Sequence, residues 1–164
     1  MSDMPAVSPF LSLVRNAFRF RLFMLLKLPS AYFSGVRVKY VDEASCQVSV
    51  PFKWFSQNPF RSTYFACLAM AAEMSTGILA MAQTYKRNPA VSMLVTALEA
   101  TYSKKATGIT IFTCDQGPLI QQAVAKAVAT GEAQTIRVRS LGRNSAGEEV
   151  AEFFINWSFK IKQS

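Results

Sequence analysis

Residues 63–84 read TYFACLAMAAEMSTGILAMAQT, a stretch rich in alanine, methionine and leucine that carries almost no charge. These residue types favour an α-helix, and Asn88 and Pro89 provide a stop signal beyond it. Glu73 is the only ionisable acid in the stretch. A helix with so few polar side chains must be buried on nearly all sides. The sequence therefore predicts a long central helix that other parts of the protein cover.

The segments on both sides of this helix alternate apolar and polar residues with a period of two, which indicates half-buried β-strands. The clearest pattern lies in residues 148–162, EEVAEFFINWSFKIK, where every second residue from Ala151 to Ile161 is apolar. Residues 117–131, GPLIQQAVAKAVATG, predict a short surface helix instead. Five further strands are predicted in residues 35–41, 45–51, 91–103, 107–114 and 132–141.

This order of elements predicts the fold class. We expect an α+β fold in which a curved antiparallel six-stranded sheet wraps around the long central helix, with a short inserted helix and an extra N-terminal helix. A flat sheet covers only one side of a helix, so curvature or a second subunit must cover the rest. The length of 164 residues suits a single domain, with residues 1–30 as an N-terminal helical extension and residues 31–164 as the core.

The extra helix is predicted in residues 9–28, PFLSLVRNAFRFRLFMLLKL, with Ser8 as its N-cap and Pro29 as its stop. Arginines interrupt its apolar residues, so we do not expect it to span a membrane. It also lacks the cleavage pattern of a secretory signal, which favours a cytoplasmic protein. Two placements stay open: contact with a membrane surface, with arginines at lipid phosphates, or packing across its own domain or a dimer partner.

The composition excludes several kinds of chemistry. The chain contains no histidine, which excludes the Ser-His-Asp triad, the Cys-His dyad and histidine-bearing zinc sites. Its three cysteines are far apart in segments predicted to be buried, so we expect reduced core residues and no metal site. The net charge of +8 favours an anionic partner, or it only keeps the protein in solution. The basic residues are scattered, which argues against nucleic acid.

Glu73 is the candidate functional residue with the strongest physical argument. Burying an ionised carboxylate costs several kcal/mol unless it is paired or hydrogen-bonded, so an acid in an apolar helix needs an explanation. In one interpretation, Glu73 pairs with an arginine or a helix terminus of a neighbouring element. In the other, desolvation raises its pKa and it acts as a general base or nucleophile.

Residues 58–73, NPFRSTYFACLAMAAE, resemble the active-site stretch of hotdog-fold acyl-CoA thioesterases of the phenylacetyl-CoA type. That family has an Asn, a His-Gly-Gly six residues later at the start of the central helix, and an Asp or Glu nine residues after the His. Asn58, Tyr64 and Glu73 have the same spacings. The strand residues 90–111 are also similar to the family's. The chain looks most like an uncharacterised branch of this superfamily, a domain of unknown function.

The resemblance implies a role for each matching residue. Asn58 would orient the thioester or the attacking water, and the backbone N–H of Phe65 would polarise the thioester carbonyl. Glu73, contributed by the other subunit, would activate water or attack directly. The sequence departs from the family where Tyr64 replaces the His and where Phe65 and Ala66 replace the glycines. A phenylalanine side chain narrows the approach to its own N–H.

Two functions follow from the resemblance. The first is hydrolysis of acyl-CoA or acyl-carrier thioesters, and the second is binding of acyl thioesters or lipids without catalysis. Coenzyme A would enter only as part of the substrate, so no separate cofactor is expected. The resemblance also implies a homodimer or a dimer of dimers.

Two further groups of side chains allow alternative interpretations. The aromatic residues Trp54, Phe55, Phe60 and Phe65 surround Asn58 in sequence and either line an acyl pocket or pack in a dimer interface. The basic residues Arg137 and Arg139 share one face of a strand. They form a solvated edge or ion pairs with Glu148, Glu149 or Glu152, or they bind a phosphate of coenzyme A.

Overall fold

A computed structural model describes residues 8–162 of the chain. Residues 1–7 and 163–164, which belong to the two predicted segments 1–30 and 31–164, lie outside the described residues. The helices are α1 (Pro9–Arg15), α2 (Ala17–Lys27), α3 (Pro29–Phe33), α4 (Phe65–Thr84) and α5 (Gly117–Thr130), with a 3-10 turn at Trp54–Ser56. The strands are β1 (Arg37–Val41), β2 (Cys46–Val50), β3 (Val91–Tyr102), β4 (Thr110–Cys114), β5 (Gln134–Asn144) and β6 (Glu149–Ile161).

The six strands form one antiparallel sheet in the order β1-β2-β4-β5-β6-β3. The long helix α4 packs against β2, β4 and β5, and α5 packs against α4, β5 and β6. The alternating stripe of β6 points into the core, with Phe153, Ile155 and Phe159 fully buried. The predicted six-stranded sheet with one long buried helix is confirmed.

Two polar contacts hold α4 at one position on the sheet. The hydroxyl oxygens of Ser75 and Ser140 lie 2.8 Å apart between α4 and β5. The indole N–H of Trp157 on β6 donates to Oγ1 of Thr76 at 2.9 Å. Because all these groups are buried, a rotation of the helix would leave them without partners, at a cost of about 1–3 kcal/mol for each group.

The N-terminal region is helical, but the prediction of one continuous helix over residues 9–28 is wrong. Asn16 has an extended backbone between α1 and α2, and its side chain accepts a hydrogen bond from the N–H of Arg19 at 3.0 Å. An asparagine side chain that binds a nearby N–H in this way starts a new helix. Pro29 begins α3 instead of only ending α2. Ser8 occupies the N-cap position of α1 as predicted, but its hydroxyl donates to the carbonyl of Ala82 and does not cap the helix.

The three cysteines, Cys46, Cys67 and Cys114, are buried and form no disulfide, as predicted. Cys46 and Cys114 lie opposite each other in the β2–β4 pair. Burial raises the pKa of both thiols, that of Cys114 to about 11. Thiols in this state are poor nucleophiles at neutral pH.

Helix α4 is long and apolar enough to cross a membrane by composition alone. In this fold it lies against the sheet, and its most apolar 18-residue window is 61% buried inside the protein. The burial is that of a core helix.

Gly142 on β5 provides a test of the packing in the sheet. It lies opposite Phe112 in the β4–β5 pair, and a Cβ atom at Gly142 would come within 2.5 Å of the Phe112 ring. We expect Gly142→Ala to lower the free energy of unfolding by about 1–3 kcal/mol through overpacking. Gly108→Ala, where an added Cβ has no neighbour within 4 Å, is the control and should change it little. Denaturant unfolding measures both, and an equal effect of the two substitutions would contradict this packing.

Candidate functional site

Asn58 shapes the loop that leads into α4. Its Oδ1 atom accepts hydrogen bonds from the backbone N–H groups of Phe60 at 2.9 Å and Ser62 at 3.2 Å, and Ser62 Oγ lies at 3.2 Å. Its amide nitrogen donates a long hydrogen bond of 3.5 Å to the carbonyl of Thr63. The oxygen of Asn58 is therefore fully used by its own loop, and only the amide N–H₂ has donor capacity left for a ligand.

The start of α4 presents unpaired backbone donors. Tyr64 occupies the N-cap position, and no side chain caps the helix. Within residues 8–162, the N–H groups of Phe65 and Ala66 have no hydrogen-bond acceptor, whereas those of Cys67 and Leu68 both bind the carbonyl of Tyr64. The helix dipole adds partial positive charge at this end. The two free N–H groups are therefore suited to an anion or a polarised carbonyl oxygen.

A pocket of about 550 Å³ lies beside these donors and is lined by Asn58, Tyr64 and Phe65. The structure thus brings three of the four predicted site residues together. A volume of this size is typical of small-molecule sites. The other lining residues come from the Asn58 loop, from α4 and from the segment after β3: Pro59, Phe60, Ser62, Thr63, Leu68, Tyr102, Ser103, Lys104, Lys105 and Ala106.

The contribution of the segment after β3 was not predicted from the sequence. Tyr102, the last residue of β3, and Lys104 and Lys105, which follow it, line the pocket. Lys105 directs its ammonium to the carbonyl of Phe60 at 3.4 Å, while Lys104 pairs with Glu148. No local pattern marks these lysines, because only the fold brings them to the Asn58 loop.

Glu73, the fourth predicted residue, lies in a different cavity of the same chain. This cavity has a volume of about 210 Å³ and is lined by α2 and α3 residues, including Lys27 and Ala31, and by Met70 and Met74 of α4. Glu73 follows Phe65 by eight residues, which corresponds to about 12 Å along the helix axis. One chain therefore cannot bring Glu73 and the Phe65 N–H to the same small group.

The carboxyl group of Glu73 is partly buried and has no partner in the described part of the chain. No hydrogen bond or ion pair within residues 8–162 involves its carboxylate. Desolvation by burial raises its pKa above the ordinary glutamate value. The structural interpretation, in which Glu73 pairs with an arginine or a helix terminus, is therefore not realised within this part of the chain.

Gly77 gives the Glu73 carboxyl its space. A Cβ atom at Gly77 would lie 3.0 Å from Oε1 of Glu73 and 3.3 Å from the indole ring of Trp157. Glycine inside a helix costs about 1 kcal/mol relative to alanine. At this position a larger residue would crowd the Glu73 carboxyl and the Trp157 indole, which explains why a glycine is present despite its cost to the helix.

The ion-pair alternative for the basic residues of β5 is realised in part as predicted. Arg139 pairs with Glu152, as predicted. Arg143, near the end of the same strand, also pairs with Glu149 at 3.3 Å. The pair of Arg137 differs from the prediction, because its partner is Glu99 of β3 at 2.9 Å. All these side chains are exposed or partly exposed, where such pairs contribute little stability.

The predicted aromatic group divides into two parts. Phe60 and Phe65 line the pocket beside Asn58. Trp54 and Phe55 lie outside it, with the Phe55 ring 6.0 Å from that of Phe33. The acyl-pocket interpretation therefore applies at most to Phe60 and Phe65.

The fold and the site at the start of its long helix define a hotdog-fold protein. The chain belongs to the family described as Domain of unknown function (DUF4442), whose model matches residues 17–159. No protein of curated function matches the sequence.

Solved structures with the same fold include a protein of unknown function from Pseudomonas aeruginosa described as a probable thioesterase. It is 17% identical, covers 93% of this chain and 96% of its own, and has a TM-score of 0.73. A protein of unknown function from Chlorobaculum tepidum is 16% identical, covers 89% and 94%, and has a TM-score of 0.75. The PaaI protein of E. coli, from the phenylacetic acid degradation operon, is 14% identical, covers 93% and 98%, and has a TM-score of 0.63. These likenesses confirm the predicted hotdog fold.

The pKa of Glu73 predicts how stability depends on pH. Because burial raises this pKa, the folded protein keeps the proton at pH values where the unfolded chain releases it. The stabilisation is complete below the ordinary glutamate pKa and is lost as the pH rises through the raised value. We expect Glu73→Gln to increase the free energy of unfolding at neutral pH by about 1–3 kcal/mol and to remove this pH dependence.

Denaturant unfolding across the pH range measures this effect. Glu132→Gln, which neutralises an exposed glutamate after α5, is the matched control and should behave like the wild type. A loss of stability at neutral pH in Glu73→Gln would show that the carboxylate has a stabilising partner.

Proposed function

We propose that this protein hydrolyses acyl thioesters of coenzyme A or of an acyl carrier in a site shared by two subunits. One subunit contributes Asn58 and the Phe65 N–H, and its partner contributes Glu73. The observation that carries the proposal is the unpaired carboxyl of Glu73 about 12 Å along the same helix from unpaired helix-start amides. Hydrolysis of a thioester needs both kinds of group, donors for the carbonyl oxygen and a base for the attacking water.

The backbone donors of α4 would act on the thioester carbonyl. In the transition state this oxygen becomes negatively charged, and donors already held in place stabilise the charge without reorganisation. The free N–H groups of Phe65 and Ala66 and the helix dipole meet this requirement. The free amide hydrogens of Asn58 line the same pocket and would orient the substrate or the water.

Glu73 would act as the general base. A carboxylate with a raised pKa accepts a proton more readily than an ordinary one. It removes a proton from water as the water oxygen bonds to the thioester carbon, the carbon–sulfur bond breaks, and the proton passes to the leaving thiolate. The products are a carboxylic acid and a free thiol.

The sheet edge supports a homodimer as the functional unit. The edge strand β3 has twelve residues and contains only one charged residue, Glu99. Leu98 lies opposite buried Ile155 and Tyr102 opposite buried Ala151, so both face the core side, yet both side chains are exposed. A long, apolar edge strand of this kind needs cover. In a two-fold pair, a second copy would supply it and bring its own Glu73 to the first copy's helix start.

The substrate class follows from the pocket. Phe60, Phe65 and Leu68 offer an apolar wall for an acyl chain, and Lys105 offers a positive charge for a phosphate of coenzyme A or of a carrier's prosthetic arm. Tyr64 contributes a phenol at the pocket where relatives of the resembled type have an imidazole. Substrates of this class occur in the cytoplasm, where we place the protein.

The second candidate function is binding of acyl thioesters without hydrolysis. The specific observation that favours it is the Phe65 side chain, which stands beside the N–H donor where the resembled family has glycine. The ring of Phe65 lies 4.9 Å from that of Tyr64, so the two aromatic rings narrow the approach to the helix start.

Free-thiol release from acyl-CoAs of different chain length tests the hydrolase. We expect Glu73→Gln to lower kcat/KM by about 100- to 10,000-fold, and Asn58→Asp, which keeps the loop's acceptor oxygen but removes the amide donor, to lower it by about 100-fold. The wild-type rate should rise with pH as Glu73 loses its proton. Glu132→Gln and Asn156→Asp, which make the same chemical changes outside the pockets, should be unaffected. Binding of acyl thioesters with no thiol release would favour the second candidate.

A mixed dimer tests whether the site is shared. Glu73→Gln and Asn58→Asp chains are each expected to be inactive as homodimers, but a hybrid contains one intact site. Refolding an equal mixture of the two should restore about a quarter of the wild-type activity, because half of the dimers are hybrids with one site of two. A mixture as inactive as its parents would contradict a site shared by two subunits.

A further inference from the structure

Helix α2 has two apolar faces, and only one of them is used by the fold. Phe20 and Met24 are buried against the core. Phe18, Leu22 and Leu26 follow each other at four-residue intervals along the opposite face, and Phe18 and Leu26 are 81% and 68% exposed. A helix that packs only on its own domain has a polar outer face. The outer face of α2 therefore needs another explanation.

A second group of exposed aromatic side chains lies next to α2 and is linked to it through Arg21. The guanidinium of Arg21 lies 4.0 Å from the centre of the Tyr32 ring, which contacts Phe33 edge-on. Phe33 contacts Phe55, and Phe55 lies 6.1 Å from Trp54, whose side chain is 80% exposed. We call this surface, formed by the outer face of α2 with Phe33, Trp54 and Phe55, the N-terminal apolar surface. Contiguous exposed patches of large apolar side chains mark binding surfaces.

The N-terminal apolar surface belongs to a region of the chain with an excess of positive charge. Residues 8–41 contain six arginines and lysines and no aspartate or glutamate. At 100° per residue, Arg19 and Arg21 lie on opposite sides of the line formed by Phe18, Leu22 and Leu26. Among the described residues, the acid nearest in sequence that pairs with this region is Glu43, which lies 3.8 Å from Arg15. The surface is therefore apolar at its centre and basic at its margins.

The combination of exposed apolar side chains with nearby arginines indicates the kind of partner that this surface binds. We propose that the N-terminal apolar surface binds the surface of an anionic lipid bilayer, with Phe18, Leu22 and Leu26 among the acyl chains and the arginines at lipid phosphates. Tryptophan at the position of Trp54 suits the level of the headgroups. A second copy of the chain fits this surface poorly, because a two-fold contact would bring the arginines of both copies to one interface, and residues 8–41 contain no acid to pair with them.

The position of α2 relative to the cavity of Glu73 also matters, if the proposed function holds. Lys27 and Leu28, at the end of α2, line the cavity that contains Glu73. An acyl chain held in the bilayer would thus lie close to the cavity of the proposed base. The membrane proposal itself does not depend on hydrolysis and is tested without substrate.

Co-sedimentation with vesicles tests the proposal on the full chain. Vesicles of phosphatidylcholine with phosphatidylglycerol are compared with vesicles of phosphatidylcholine alone. We expect preferential binding to the anionic vesicles, weakened by salt. Leu26→Gln should weaken it several-fold, and the triple variant Phe18→Gln, Leu22→Gln, Leu26→Gln about tenfold or more. Leu119→Gln, which replaces an exposed leucine on α5, is the matched control and should bind as the wild type does.

A second pair of variants tests how much positive charge contributes to binding of the anionic vesicles. Arg19→Gln should weaken binding to anionic vesicles about fivefold, whereas Lys126→Gln, with the same change in net charge on α5, should not. Fluorescence gives an independent readout, since Trp54 is exposed and Trp157 is buried. Binding should shift the emission to shorter wavelength, and Trp54→Phe should abolish the shift.

Three results would overturn the proposal. The first is an absence of binding to anionic vesicles at low salt, and the second is equal binding by the triple variant and the Leu119→Gln control. The third is a change from dimer to monomer in the triple variant, measured by sedimentation velocity, which would assign the surface to a second copy. Glutamine is a good helix former, and unchanged unfolding temperatures would show that the variants fold.

Discussion

The burial of helix α4 is the constraint on which the rest of this structure depends. Twenty residues with a single ionisable group cannot face water, so the sheet covers one side of the helix and α1 and α5 contact it from others. Buried hydroxyl and indole contacts, Ser75 with Ser140 and Thr76 with Trp157, then select one position of the helix on the sheet. These contacts fix the position of α4 on the sheet, and they therefore also fix where the helix starts and where its single carboxyl group lies.

The fixed position of α4 also separates the two chemical groups of the candidate site, the free N–H groups at the helix start and the carboxyl group of Glu73. The free N–H groups lie at the first turn of α4, because nothing in the loop around Asn58 caps the helix. Glu73 lies more than two turns further on, where desolvation raises its pKa and Gly77 leaves room for the carboxyl. A straight helix cannot bring its own first and third turns to one substrate atom. The proposed two-fold arrangement of two such helices would resolve this separation, and the uncovered core side of β3 is consistent with it.

The N-terminal region shows how an extension can serve the fold and leave a second surface free. Phe10, Leu11 and Val14 of α1 and Phe20 and Met24 of α2 complete the core, with the Phe10 ring 5.4 Å from that of Tyr85 at the end of α4. Both short helices on either side of the break at Asn16 place buried side chains in the core. The outer face of α2 contributes nothing to this packing, so its apolar character is independent of the stability of the fold.

The sequence by itself determined the strands, the long buried helix, the reduced cysteines and the position of Glu73 as the single carboxylate of that helix, because these depend on local periodicity and on the cost of burying charge. It also placed Asn58, Tyr64 and Phe65 close together, since they are neighbours in sequence. It did not reveal the break at Asn16, where a side-chain hydrogen bond competes with the helix. Nor did it reveal the pairing of Arg137 with Glu99 or the arrival of Lys105 at the pocket. Only the tertiary structure decided the last two. Strands β3 and β5 lie on either side of β6 in the folded sheet, and the fold brings Lys105 to the loop of Asn58, although these segments are far apart in the chain.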